Sequence, residues 1–416
     1  HKSIIEHDYL VFALCDVSPI IEQTIIGNRL TSFTIKSRRE VDFRNVGYYI
    51  PEFRDVNLKP HKDNEKIKEE YKNHMQSLFN FYADMVDDEI NKEDARFIIP
   101  YSYHSNIIMG LNARELEKMV ISFLYGRLSR LSEVRELGEK LYDLIKKYVP
   151  YLVDNIESQE KKDDNPFALL EENAPRPEIE ILPEAKVIAH TENPDEVVLE
   201  AHVMYHYQCT REKAKEILKE MEAKDSKIRE KLMYVILNKP ENRELEQVSF
   251  TIQIPISLSI LTHLTRHRMH SLLVPEFVPM WNLNNYIVPN TIKEKGWEAK
   301  YREHVEKNIE VFNRFKAMGI AEEDLIYFYI GGQMCNVLTT MNARNIQWVC
   351  RMRCCNKAQW QIRNIANQIA AQVKIIAPLI GKGIGPTCIT NHVCNEGRES
   401  CGLIDKILAK EEDSKE

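Results

Sequence analysis

Two spacings of apolar residues alternate along the chain. Tyr9-Leu-Val-Phe-Ala-Leu and Val248-Ser-Phe-Thr-Ile-Gln read as strands. Long segments instead carry the 3.6-residue period of helices: 66–88, 115–148, 211–238, 300–318 and 343–376. A short strand at 185–189 runs into Thr191-Glu-Asn-Pro-Asp-Glu, a helix start with Pro194 near the first turn and acids beside it. The pattern predicts an α+β protein in which helix dominates.

The pattern also repeats. Glu93-Asp94-Ala95-Arg96 precedes Asn112-Ala113-Arg114, and Glu323-Asp324-Leu325-Ile326 precedes Asn342-Ala343-Arg344, with 19 positions from Glu to Asn in each half. Each Asn-Ala-Arg leads into helical sequence with further arginines: Arg127, Arg130 and Arg135, then Arg351, Arg353 and Arg363. Each stretch closes on a proline, Pro150 and Pro378. Upstream, each strand runs into a helical segment ending in Asn28-Arg29 or His267-Arg268. Four matches in one order predict a tandem duplication.

Residues 154–184 interrupt the two halves with ten acids, three bases and four prolines, the composition of an exposed linker. The expected organisation is a first copy at 1–150, a linker at 151–184, a second copy at 185–405 and a polar tail at 406–416. The chain opens on His1 rather than Met, which reads as a piece of a longer product. With 56 Lys+Arg against 63 Asp+Glu, a net of −7, the composition argues against a nucleic-acid coat. No apolar run approaches the ~20 residues of a membrane span, and 252–264 is broken by Gln253 and Pro255. The expected partners therefore include neither nucleic acid nor membrane. Nine cysteines without a disulfide spacing fit a reducing cytoplasm.

The candidate chemistry is cationic. Arg266-His267-Arg268 suits phosphate oxygens, because guanidinium forks bind them bidentately. A surface ion-pair cluster is the plain alternative. Arg353 and Arg363, ten apart, fall on one face of a continuous helix. Ser32, Ser37, Arg38 and Arg39 make a hydroxyl-and-arginine loop that suits a phosphate or stays a solvated basic loop. Asn342 and Asn112 fit helix caps. Cys388, His392, Cys394 and Cys401 offer a Cys₃His zinc set or a loop of free thiols, and no metal ligand is assigned. No Gly-rich phosphate loop, nucleophile elbow or HExxH is present.

Together these pieces resemble the flavin-dependent thymidylate synthases. The resemblance rests on Arg266-His-Arg-x-x-Ser271, Met341-Asn-Ala-Arg344, Arg351-x-Arg353, Ala358-Gln-Trp-Gln-Ile-Arg363, Ala189-His-Thr-Glu-Asn-Pro-Asp-Glu-Val-Val198 and the tail from Gly385-Pro-Thr-Cys388 to Cys401-Gly402. It covers nearly all of 185–403. The first half resembles a diverged second copy, entered at His1-Lys-Ser-Ile-Ile-Glu-His7. The resemblance implies two tandem domains of the thymidylate synthase complementing type, each a mixed or antiparallel sheet with long helices.

Against the family signature R-H-R-x-x-S-x-N-E-x-S-x-R-Y, the halves depart in opposite places. The second keeps Arg266-His267-Arg268 but has Leu273, Val274, Glu276, Val278 and Pro279 for the later signature residues. The first has Gly27-Asn28-Arg29 at the opening but keeps Ser37-Arg38-Arg39, and it keeps Arg96 where the second has Ile326. Because the family shares each site between subunits of a tetramer, the resemblance implies one composite site. It also implies a homodimer forming a pseudo-tetramer.

The implied reaction is reductive methylation of dUMP to dTMP with FAD as cofactor and NADPH and methylenetetrahydrofolate as co-substrates. Arg353 takes the catalytic, uracil-polarising role. Ser37, Arg38, Arg39, Arg96 and Arg266 join it in substrate binding. His1, Ser3, Arg266, His267, Arg268, Asn342 and Arg344 hold FAD. The alternatives are a flavoenzyme acting on another pyrimidine nucleotide, or a degenerate flavin- or nucleotide-binding protein.

Overall fold

The computed structural model describes residues 2–160 and 165–406. His1, assigned to FAD, and all but the first residue of the polar tail lie outside them. The fold is α+β, 54% helical, with two antiparallel sheets. The first sheet has the order β1-β3-β2, from Tyr9–Val17 (β1), Ser32–Ile35 (β2) and Ser105–Asn112 (β3). The second has the order β4-β5-β7-β6, from Lys186–His190 (β4), Ser249–Ser257 (β5), Ser271–Leu273 (β6) and Met334–Asn342 (β7).

The order of elements recurs. In each half a short 3₁₀ turn (Ile4–Glu6, Arg243–Gln247) leads to a long strand (β1, β5), a helix (Pro19–Ile26, Leu258–Thr265) and a short edge strand (β2, β6). A long helix follows (Asn64–Asp87, Glu298–Ala317), then the central strand (β3, β7). The same residue type ends both central strands. Asn112 and Asn342 adopt extended backbone (φ −79 and −77°), and each side chain accepts the amide hydrogen three residues on, satisfying a first-turn N–H that lacks a helical partner. Each following arginine reaches back to the 3₁₀ turn: Arg114 to Glu6, and Arg344 to Glu246 at 2.5 Å.

Cα packing divides the chain into two compact units, neither continuous in sequence. One holds His1–Glu180, Ser257–Thr262 and Glu276–Cys335; the other holds Ile181–Ile256, His263–Pro275 and Asn336–Glu416. The segment 276–335, which follows the second arginine triplet in sequence, packs within the first of these units. The helix Glu298–Ala317 packs on Asn64–Asp87, with His74 Nε2 and Asn308 Oδ1 2.8 Å apart and His304 stacked on Phe81 at 3.8 Å. Phe53, Tyr71, Phe315 and Phe328 interlock edge to face in this core. Each fully buried ring contributes about 1.5–3 kcal/mol. The acidic linker also lies on this unit, where Ile179 O accepts from Asn285 Nδ2 at 3.1 Å.

The core of the other unit is aliphatic. Phe250 and Ile252 of β5 and Val337 and Met341 of β7 are buried together with Ile346, Ile362, Ile365, Ile369 and Val373 from the helices.

Three predicted helices are broken in the structure. The segment 115–148 becomes Ala113–Tyr125 and Ser132–Tyr148, parted at Gly126, where a Cβ would meet Ser122 O at 2.8 Å. The segment 211–238 becomes Arg211–Lys224 and Ile228–Asn238, with Asp225 extended between them. The segment 343–376 becomes Ala343–Arg353 and Trp360–Ile376, because the Gln359 side chain accepts from the amides of Gln361 and Ile362 and starts a new helix. Arg353 and Arg363 therefore do not share a helix face, contrary to the periodicity argument.

Candidate functional site

The first unit gathers four of the expected residues. Ser37, Arg38 and Arg39 follow β2, whose register on β3 is Ser32↔Gly110 to Ile35↔Ile107. Arg96 follows the short helix Lys92–Ala95, capped by Asn91. Ser37 and Arg39 are exposed, while Arg38 and Arg96 are 7% and 3% exposed. Arg39 pairs with Glu93, whose backbone carbonyl accepts from Arg96 Nε at 3.0 Å.

Arg38 turns inward. It pairs with Glu22 on Pro19–Ile26 and lies over the rings of Tyr103 and Tyr101, 5.4 and 5.9 Å from their centroids. Burial opposes its charge, but Glu22 and the two tyrosines outweigh burial and raise its pKa. Arg96 has no such carboxylate in hydrogen-bond contact. Burial, reinforced by Arg38, pulls its pKa down to about 10. Arg38 Nε and Nη1 and Arg96 Nη1 and Nη2 are buried and make no hydrogen bond. Each such donor costs about 1–3 kcal/mol while unmet. Sequence reasoning missed Glu22, whose signal was one acid in the apolar run Pro19-Ile-Ile-Glu-Gln-Thr-Ile-Ile. It also missed the two tyrosines, whose role no local pattern announces.

The second unit brings together the arginine triplet and Arg353. Arg266-His267-Arg268 caps the end of Leu258–Thr265, with the His267 amide on Leu264 O at 3.1 Å. Arg353 closes its own helix, and its Nε donates to His267 Nε2 at 3.2 Å while Nη2 donates to His263 O at 3.2 Å. His267 must therefore carry its proton on Nδ1. Burial first, then Arg353, His270 and Arg266, push its pKa down to about 3, so it stays neutral and can accept. The result is a guanidinium fixed in orientation by a neutral imidazole and a carbonyl.

The other FAD-assigned residues are placed differently. Asn342 Oδ1 is engaged as the helix cap, 2.8 Å from the Asn345 amide. Arg344 faces Glu246. Ser3 immediately precedes the 3₁₀ turn Ile4–Glu6 in the first unit, without a side-chain capping hydrogen bond. Arg266 and Arg268 are exposed on either side of the neutral His267, and Arg351 nearby in sequence has a buried Nε with no hydrogen bond. This donor set, rich in guanidinium, fits an anionic pyrophosphate-bearing cofactor.

Among the described residues, no group of three or more His, Cys, Asp or Glu side chains is arranged to hold a metal ion. The Cys₃His zinc alternative therefore has no support in the geometry. The thiols instead meet local polar groups: Cys394 Sγ donates to Ser400 Oγ at 3.5 Å, and Cys401 Sγ accepts from Asn356 Nδ2 at 3.7 Å. No described helix is long and apolar enough to cross a membrane.

The family described as thymidylate synthase complementing protein matches residues 1–151 and 186–379. A flavin-dependent thymidylate synthase of Clostridium tetani is 29% identical over 237 residues, covering 52% of this chain and 92% of that protein. The flavin-dependent thymidylate synthase of Sulfurisphaera tokodaii is 31% identical over 172 residues, covering 40% of this chain and 65% of that protein. Among solved structures, a UMP/dUMP methylase PolB from Streptomyces cacaoi bound with 5-Br dUMP aligns at 16% identity and a TM-score of 0.41, covering 50% of this chain and 96% of that one.

Proposed function

The chain belongs to the thymidylate synthase complementing protein family, and from that membership we propose that it is a flavin-dependent methyltransferase converting dUMP to dTMP. In this reading methylenetetrahydrofolate supplies the carbon and NADPH the reducing equivalents. Bound FAD supplies the hydride-transfer chemistry.

The observation that carries the reading is Arg353 held by the neutral His267. A pyrimidine ring gains negative charge at N3 and O4 as C5 becomes nucleophilic, and an immobile cation stabilises that charge without reorganising. Arg353 would supply it. His267 acts as a positioning residue that keeps the guanidinium edge in place and, being neutral, adds no competing charge. Arg266 and Arg268, exposed beside it, would hold the pyrophosphate of FAD, with Arg344 supporting them. Asn342 contributes by fixing the start of the Arg353 helix. In the first unit Ser37 and Arg39 would take a nucleotide phosphate, Arg39 exchanging Glu93 for it. No protein nucleophile is required. A homodimer acting in the cytoplasm is the form this reading calls for.

A second reading, a flavin- or nucleotide-binding protein without turnover, gains weight from one observation: Arg38 is buried and paired with Glu22. A single-turnover assay with dUMP, methylenetetrahydrofolate, NADPH and FAD separates the two. dTMP formation supports the enzyme. Flavin and dUMP binding without dTMP supports the second reading.

A further inference from the structure

A cavity of about 130 Å³ lies within the second unit, between the helices Ile228–Asn238 and Ala343–Arg353 and the segment 379–391. Gln347 and Arg351, one turn apart on their helix, both line it. Arg353 stands about 200° further round the same helix, where it meets His263 and His267. The cavity and the candidate chemical site therefore occupy different faces of one helix. Met233, Tyr234, Leu237 and Leu379 give the cavity an apolar wall. Gly383 lets the chain close against that wall, since a Cβ there would meet Leu237 Cδ2 at 2.7 Å.

Most polar groups around the cavity are engaged with one another. Asn391 donates to Asn238 Oδ1 at 2.9 Å and accepts from Thr390 Oγ1 at 2.7 Å. Gln347 donates to Leu237 O at 3.1 Å and accepts from Asn242 Nδ2 at 3.0 Å. Glu230, the carboxylate that lines the cavity, pairs with Lys382 at 2.7 Å. Arg351 is the exception. Its Nε is buried and makes no hydrogen bond among the described residues. Burial lowers its pKa, and no neighbouring carboxylate opposes the effect. Two cations and one anion leave a single positive charge uncancelled. Water can meet the Nε donor but cannot offset that charge. A phosphate dianion would bring a second negative charge against Glu230. A 150 Å³ apolar cavity holds about one six-membered ring, so a nucleotide is too large for this one.

We propose that this cavity binds a small monocarboxylate, its carboxylate on Arg351 and a short branched apolar body against Met233, Leu237 and Leu379. The proposal does not depend on the methyltransferase reading.

The test is isothermal titration of the full chain, without flavin or nucleotide, at fixed ionic strength. The probe is isovalerate, whose body beyond the carboxylate has about four carbons, within the size limit above. One site should appear, with a Kd of about 0.1–1 mM. Isovaleramide keeps the body and loses the charge, and it should bind at least about tenfold more weakly. Acetate keeps the charge and loses most of the body, and it should also bind at least about tenfold more weakly. Arg351→Met should weaken isovalerate binding about ten- to a hundredfold. Crystals soaked in isovalerate should show its carboxylate within hydrogen-bond reach of Arg351 Nε. Equal binding of isovalerate and isovaleramide overturns the proposal, as does no isovalerate binding about tenfold above the expected range. Tighter binding of inorganic phosphate than of isovalerate also overturns it and makes the cavity a phosphate site. If Arg351→Met does not fold, the wild-type comparison of isovalerate with isovaleramide and the soaked crystal decide alone.

Discussion

The same architectural position is built in two ways in the two halves. After the first helix of each half comes an arginine-bearing turn beside a short edge strand. In the second half Arg266 and Arg268 stay exposed, and the inward-turned member is the half-buried His267, neutral and holding Arg353. In the first half the buried member is Arg38, charged and held by Glu22, while Ser37 and Arg39 stay exposed. A neutral buried group leaves its arginine partner available to act on a ligand. A charged buried group must be neutralised in place, and it ties up the surrounding polar atoms in doing so. On the proposed function, the second half would supply the chemical site and the first a charge cluster with an exposed phosphate-type edge.

The largest effect expected from this contrast is on stability of the first unit. Glu22→Ala leaves Arg38 buried without its carboxylate and should cost about 3–5 kcal/mol, read as a lowered denaturant midpoint. A loss below about 1 kcal/mol would mean that Arg38 is solvated, and the contrast would fail. Next, Arg353→Ala should lower kcat by roughly a hundred- to a thousandfold with little change in unfolding, as for removal of a transition-state donor. His267→Ala should lower it less and raise KM, because the guanidinium loses its orientation.

The third effect is pH dependence confined to one half. Glu133 and Gln361 are each the second residue of the helix closing its repeat, and both are buried. Glu133 takes hydrogen bonds from Ser18 N at 2.7 Å and Tyr327 Oη at 3.0 Å, yet burial outweighs them and raises its pKa from 4.5 to about 7. The folded state therefore holds a proton that the unfolded state has lost. Stability should fall by up to ~3 kcal/mol as pH rises from about 4.5 to about 7, and level off above. Glu133→Gln, which copies the second half, should flatten this slope; an unchanged slope would place the titration elsewhere. A smaller change follows from Arg39→Ala, which should weaken nucleotide binding about ten- to a hundredfold, equivalent to ~1.5–3 kcal/mol. Smallest and most symmetric, Asn112→Ala and Asn342→Ala should each cost about 1 kcal/mol. Markedly different values would show that the two caps are not equivalent.

The repeat was legible because its markers are local. Asn-Ala-Arg caps a helix wherever it occurs, and both copies do so with nearly the same backbone angles. The family resemblance was legible because its motifs are contiguous. The opposite fates of Arg38 and Arg39 were not, since two adjacent residues after a strand point to opposite faces and only tertiary packing says which face is covered. The break at Gln359 was missed because helical periodicity on both sides spans it, while the cap is a single side chain turned back on its own backbone. The packing of Glu298–Ala317 on Asn64–Asp87 was not legible, because an amphipathic stripe states that a helix packs, not on what.

The most direct test of the asymmetry is a flavin titration followed by dUMP, read by absorbance, on the wild type and two variants. The wild type should take up FAD and show a dUMP-dependent spectral change. Arg353→Ala should take up FAD and lose that change, while Arg38→Ala should keep both. Wild-type protein that takes up no FAD, or a dUMP response lost with Arg38→Ala and kept with Arg353→Ala, would contradict it.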